Sequence, residues 1–345
     1  MLKSRRVELA VLEDDHEAIF ELGWTDGLPV VPPTESLVAA MLEATTRGSD
    51  ELVALVPPNL SECTVEKVAI NSVMAGCRPE YLPVVLAAVE AICTDEFNMH
   101  GVLATTMSVG PILVVNGPIA SEIGMNTGIN VLGHGNRANS SIGRAVQLVV
   151  RNMGGGRPGG VDRATLGHMG KQGFCFAEDE TGSPWVSLAA ERGFSAEVGT
   201  VTAFCGEGPR LVVDQRSRTP ESLTSTLGQA VLGAMSSRRG MAMDAMLVIS
   251  PEHISRYRDA GWDRARFREE ISAHLLLEPD DIVDGAGGPE DQMPAVLGGV
   301  TGPKFRPGEL LVVHAGGPAG LFSAIIGGWL NGPSGSAPVT REVTP

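Results

Sequence analysis

Three apolar runs in this chain, PILVVN, AMLVIS and ELLVVH, each break into a turn that carries glycine or proline. Runs of this length without polar alternation suit strands buried on both faces, and helix-like segments follow them. The expected fold is therefore α/β, with mixed sheets, flanking helices and Gly-rich strand-to-helix turns. Ligand-binding loops are then expected at the carboxyl ends of the strands.

The remaining pattern fills in around these strands. Apolar residues at helical intervals predict a helix from Glu8 to Leu22, stopped by Gly23. Asp26 and Gly27 make a turn, the prolines of LPVVPP force an extended piece, and Thr34 caps the next helix. Two helices meet between Gly76 and Pro79, which places Cys77 at their junction. A helix at about residues 140 to 152 is capped by Ser140 or Ser141, buries Ile142, Ala145, Val146 and Val149, and ends at Gly154 to Gly156. Thr219 caps a helix with Pro220 in its first turn, and two more helices divide at Gly261. The run LFSAIIGGW after AGGPAG reads as a helix with Ser323 at its start. No internal repeat is apparent. At 345 residues the chain divides into an N-terminal α/β domain, 1–197, and a C-terminal one, 198–345, or forms one compact unit.

Charge narrows the function. A formal net charge of −15 with a pI near 4.9 repels nucleic acid and anionic membranes, so no nucleic acid and no membrane are expected as partners. No apolar run is long enough to span a bilayer, and the N-terminus turns acidic before a signal core forms, which predicts a cytoplasmic protein. The five cysteines contain no CxxC and the seven histidines no HxH or HExxH, so free thiols are expected and no metal site. There is no GxGxxG with its acidic follower and no GxxxxGK[ST], leaving the cofactor unknown. The glycine-rich, charge-poor C-terminal half predicts a homo-oligomer.

The stretch GHGNRANSSIGRAVQLVVRNMGGG is the clearest candidate for binding. Asn136, Arg137 and Asn139 crowd a helix start, and Arg144 and Arg151 follow Arg137 at intervals of seven along one side. Free N–H groups, helix dipole and guanidinium together suit a small anionic substrate. Asn116 at a strand end, Ser323, and Ser334 in GPSGS are further candidate donors. Cys77 beside Arg78 and Cys175 before Glu178, Asp179 and Glu180 are the candidate nucleophiles. Glu178 or Asp26 would then move the proton.

Several segments, in order, carry a family resemblance: ELGWTDGLPVVPPT, NSVMAGCRPEYLPVVLAAVEAI, FNMHGVLATT, ILVVNGPI, GNRANSSIGRAVQLVVRNMGG, GFCFAEDETGSPW with ERGF, and AGGPAGLFSAIIGGW with GPSGSAPVTREV. Together they make the chain similar, over most of its length, to a bacterial family related to, or encoded with, the UGSC-motif (seleno)proteins. That motif resembles the redox centre of the glycine reductase group, which implies reductive or thiol-transfer chemistry on a small carboxylated substrate. No CGSC occurs in this chain, so on this resemblance the motif belongs to a UGSC-type protein partner, or this chain does something else.

The leading expectation is an enzyme, or its substrate-binding subunit, acting on a small anionic metabolite by thiol-dependent cleavage or transfer at a carbon–sulfur or carbon–heteroatom bond. The alternatives are a thiol-independent hydrolase or lyase using carboxylates and the Asn/Arg loop, and a non-catalytic scaffold for a UGSC-type partner.

Overall fold

The computed structural model describes residues 2–9, 14–234, 243–278, 302–330 and 335–345. In chain order the first half contains α1 (Asp15–Glu21), α2 (Glu35–Leu42), β1 (Leu52–Val56), β2 (Ser61–Thr64), α3 (Val65–Ala75), α4 (Leu82–Ile92), α5 (Met99–Ala104), β3 (Gly110–Asn116), α6 (Pro118–Glu122), α7 (Arg137–Asn152), β4 (Cys175–Ala177) and α8 (Leu188–Glu191). The second contains β5 (Thr200–Gly206), β6 (Arg210–Val213), α9 (Pro220–Leu232), β7 (Met243–Ile249), α10 (Pro251–Asp259), α11 (Arg264–Ala273), β8 (Leu276–Leu277), β9 (Gly302–Pro303), β10 (Phe305–His314), β11 (Phe322–Leu330) and β12 (Val339–Glu342). The fold is α/β, with mixed sheets and flanking helices. Among the described residues no helix is long and apolar enough to cross a membrane.

Eight strands form the central sheet, ordered β10-β7-β11-β5-β3-β4, with β12 on β5 and β6 on β11. Its plan repeats. β3 pairs parallel with β4 and antiparallel with β5, and β7 pairs parallel with β10 and antiparallel with β11. The registers agree: Val114 faces Phe176 and Thr202, and Val248 faces Val313 and Ala324. The last strand of each set crosses to the other, β6 onto β11 and β12 onto β5, and Gly206 meets Gly328 at the crossing. No residue-level repeat is visible because what repeats is backbone pairing and apolar alternation, which many residues satisfy. The sheet crosses residue 197, since β5 pairs with β3 before it and β12 after it.

Alternation sorts the side chains into three cores. Ile112, Val114, Phe176, Phe204, Met246, Val248, Val313 and Ile326 share one interior cluster drawn from both strand sets. Their neighbours Leu113, Val115, Ala177 and Val201 pack with α3, α4 and α7, and Leu247, Ile249, Val312 and Ile325 pack with α9 to α11. At the outer tips, the Asp179 N–H donates to the His314 carbonyl at 2.8 Å, linking the end of β4 to the end of β10.

Three local expectations are corrected. Residues 322–330 form a strand, so Ser323 begins β11 and the AGGPAG turn joins two strands. A strand buried on both faces reads as a continuous apolar run, which periodicity confuses with a helix. The long helix starts at Arg137 with Asn136 as its cap, because Asn136 is extended and its Oδ1 accepts from the Asn139 N–H at 3.0 Å. The Ser141 hydroxyl instead donates to the Arg137 carbonyl inside the first turn. The first helix begins at Asp15, where Asp14 accepts from the His16 and Glu17 N–H groups.

Gly143 lets α7 lie against the backbone that enters β4: a Cβ there would stand 2.8 Å from the Phe174 nitrogen and 2.9 Å from the Gly173 carbonyl carbon. Alanine in a helix interior ordinarily gains about 1 kcal/mol over glycine. Here overpacking reverses the sign, and Gly143→Ala should lose about 1–3 kcal/mol in urea unfolding. A stabilised variant would show that the helix can move off the strand.

Candidate active site

The residues of the expected anion pocket are engaged with the protein itself. Asn136 caps α7 and its Nδ2 donates to the Gly124 carbonyl at 2.8 Å. Asn139 grips Asn126, accepting from its N–H and donating to its carbonyl, both at 3.0 Å. Arg137 is exposed and its Nε donates to the Gly76 carbonyl at 2.9 Å. Arg144 clamps Asp26 through two contacts of 2.8 Å and also donates to the Leu28 and Pro29 carbonyls. Burial pushes the Asp26 carboxyl up, but Arg144 outweighs it and holds the group below its usual value. A bidentate ion pair of this kind is a clamp on the segment before α2 and a poor base.

All five cysteines are free, as expected from their number and spacing. Burial pushes the Cys77 thiol up to about 12 against the weaker pull of Ser141 and Arg137, and it raises Cys175 as well. A protonated thiol is a poor nucleophile. Ser323 is buried, with its hydroxyl 2.7 Å from His253 Nδ1, while His253 Nε2 lies 3.1 Å from the Asp214 carbonyl. That carbonyl only accepts, so Nε2 carries the proton and Ser323 donates to Nδ1. Ser334 lies outside the described residues.

Two of the expected residues do come together. Asn116, fully buried at the end of β3, donates from Nδ2 to Glu178 Oε2 at 2.7 Å and to Glu180 Oε1 at 3.0 Å. Glu178 follows β4 and also accepts from the Leu188 N–H at 2.8 Å and, more weakly, from the His314 N–H at 3.4 Å. Burial dominates and pushes its carboxyl up to about 7, with Asn116, Leu188 and the nearby Arg264 pulling the other way. Glu180 accepts from the Gly117 N–H at 2.6 Å. Asp179 accepts from Thr181 and the Gly182 N–H, both at 3.0 Å.

His314 and Asp179 complete the cluster and were not singled out in the sequence. His314 Nδ1 lies 2.8 Å from the Ile249 carbonyl, so that nitrogen bears the hydrogen and Nε2 keeps its lone pair. Nε2 is buried, has no hydrogen-bond partner, and lies 3.6 Å from Asp179 Oδ2. Burial lowers the affinity of this imidazole for a proton. Asn116 Oδ1 is likewise buried without a partner. A histidine closing an apolar run carries no pattern, and only the adjacency of the two parallel strand tips gives it neighbours. Behind the cluster, Arg264 is held by Glu191 at 2.8 Å and by the Val186 and Val312 carbonyls.

Among the described residues no three His, Cys, Asp or Glu side chains converge to hold a metal ion. An open cleft of about 650 Å³ lies elsewhere, between the β1–β2 hairpin and the α4–α5 region, lined by Leu55, Pro58, Glu90, Cys93, His100 and Arg341. None of its lining side chains is a buried polar group left without a partner, so the strand-tip cluster is the stronger candidate. No protein-family model matches the chain, and no curated protein matches it.

Two outcomes follow. Glu178 in the folded protein keeps its proton up to about pH 7, whereas its ordinary value is 4.5. Its contribution to stability is therefore complete below the ordinary value and lost as pH rises through the folded one, on the order of 3 kcal/mol in all. Urea unfolding of wild type against Glu178→Gln should show the difference shrinking to nothing at low pH and favouring the variant at about pH 8; a difference that does not vary with pH would contradict the buried proton. Alkylation by iodoacetamide should be slow at all five cysteines in the native protein and complete only in denaturant, and fast native labelling of Cys77 or Cys175 would revive thiol chemistry.

Proposed function

We propose that this chain is an enzyme that moves protons on a small polar metabolite without a thiol, a lyase or hydrolase, working at the rim formed by Asn116, Glu178, Asp179, Glu180 and His314. The observation that carries the reading is His314: one ring nitrogen is locked by the Ile249 carbonyl, and the other presents a buried, unpartnered lone pair beside a carboxyl group. A neutral imidazole so oriented takes a proton at Nε2, and Asp179 at 3.6 Å steadies the imidazolium that forms. Glu178, pushed up to about 7 by burial, is the group that holds a proton at neutral pH and can return it. Base and acid whose environments push their proton affinities toward one working pH are the arrangement acid–base catalysis requires.

The position supports the reading further. The site stands where the carboxyl ends of strands from both sets meet, and in that setting loops bind ligands over a rigid sheet. Partial exposure of Asp179 and Glu180 gives a substrate access, while Asn116, Glu178 and His314 stay dry beneath them. Dependence on a UGSC-type partner has no support in these groups, since the reading needs no redox centre.

The test is turnover of small metabolites followed by NMR in deuterated buffer. His314→Gln should slow the reaction roughly 10²–10⁴-fold, while Cys77→Ala and Cys175→Ala stay near wild type. The wild-type rate should be bell-shaped, its acid limb below the ordinary imidazole value and its alkaline limb near the Glu178 value of about 7. Full activity in His314→Gln, or loss of activity in either cysteine variant alone, would overturn the proposal.

A further inference from the structure

Resting on the acid–base reading of this site, we infer that the substrate enters it through a protonated nitrogen, an organic ammonium group, held between Asp179 and His314 with Asn116 and Glu180 beside it.

Three N–H groups at the rim are taken by the protein's own carboxyl groups: Gly117 by Glu180, Gly182 by Asp179, and Leu188 by Glu178. The Asn116 amide N–H groups and the Thr181 hydroxyl are engaged with the same acids. At the rim itself the buried side-chain atoms left without a partner, His314 Nε2 and Asn116 Oδ1, are acceptors in residues more than nine-tenths buried, whereas the unpartnered Arg264 Nε lies behind the cluster. His314 Nε2 faces Asp179 Oδ2 at 3.6 Å, too long for a hydrogen bond and between two groups that both accept while the imidazole is neutral. A donor that reaches both atoms from one side satisfies both. An ammonium group offers three N–H donors and no lone pair, and its charge suits the acids Asp179 and Glu180; Arg264 near Glu178 is paired with Glu191, and Arg258 near His314 with Asp259.

The unpartnered acceptors His314 Nε2 and Asn116 Oδ1, beside the acids Asp179 and Glu180, favour a cation over the anionic substrate that the composition around Asn136 led one to expect. A metal ion would use the same acceptors, but no three of the described His, Cys, Asp or Glu side chains converge as ligands. The geometry therefore points to an organic cation.

Binding can be read without knowing the reaction. With histidine side chains labelled by ¹⁵N, ethanolamine titrated at neutral pH should move the His314 Nε2 resonance saturably, while ethylene glycol and acetate leave it in place. Asp179→Asn should weaken that binding about tenfold or more, the loss of one charge-assisted hydrogen bond. Glu180→Gln, less exposed to a folding defect of the 179–182 turn, should weaken it in the same direction. A saturable shift with acetate and none with ethanolamine would overturn the inference in favour of an anion site. A shift with zinc or magnesium ions alone would overturn it in favour of a metal, and no saturable shift with any probe would overturn it outright. The outcome is separable from the acid–base reading: if ethanolamine binds but His314→Gln retains turnover, the reading fails and the cation site stands. If turnover needs His314 but only acetate binds, the reverse holds.

Discussion

The sheet depends on the place where its two outer strands touch. The Asp179 N–H reaches the His314 carbonyl, and the His314 N–H leans on Glu178, so two strand tips that would otherwise be open edges satisfy one another. At the opposite side of the sheet Gly206 faces Gly328, where a side chain on either strand would collide with its surroundings; a Cβ on Gly328 would come within 1.8 Å of Asp244. These two meetings hold the repeated strand sets around one interior core. The site is a by-product of the first meeting.

The repeat is also why the site is lopsided. By register Asn116 corresponds to Ser250, Glu178 to Ala315 and Glu180 to Gly317, so only the first strand set carries acids at its tips. The second contributes His314 and a glycine turn that leaves room for them. A buried carboxyl costs several kcal/mol as an ion, and Glu178 meets that cost in two ways, by holding its proton near neutral pH and by accepting bonds from Asn116 and the Leu188 N–H. In the proposed chemistry that tension is what makes the group useful.

The candidate site was legible in part. Asn116 could be read as the end of a buried strand, and Glu178 as an acid after another apolar stretch, because both signals are local. His314 could not, since its role comes from Ile249 and Asp179, 65 and 135 residues away. The arginines misled for the same reason in reverse. Arg144 has the composition of an anion site, but its partner Asp26 lies 118 residues earlier, and a distant carboxylate cancels what the local pattern suggests. Cysteines followed the same logic: Arg78 beside Cys77 suggests a thiolate, and burial under α7 prevents it.

By itself the sequence determined the class of fold, the helix caps at Thr34 and Thr219, the stripe of α7 that faces the core, and the three strand endings, because each follows from the spacing of apolar residues and the backbone demands of glycine, proline and capping side chains. Tertiary structure alone decided that residues 322–330 are a strand, that β6 and β12 cross between the two sets, and that His314 stands beside Asp179. Those outcomes depend on hydrogen-bond partners far away in the chain. Pairing over such distances is chosen by how whole strands bury together, which no local window of residues records.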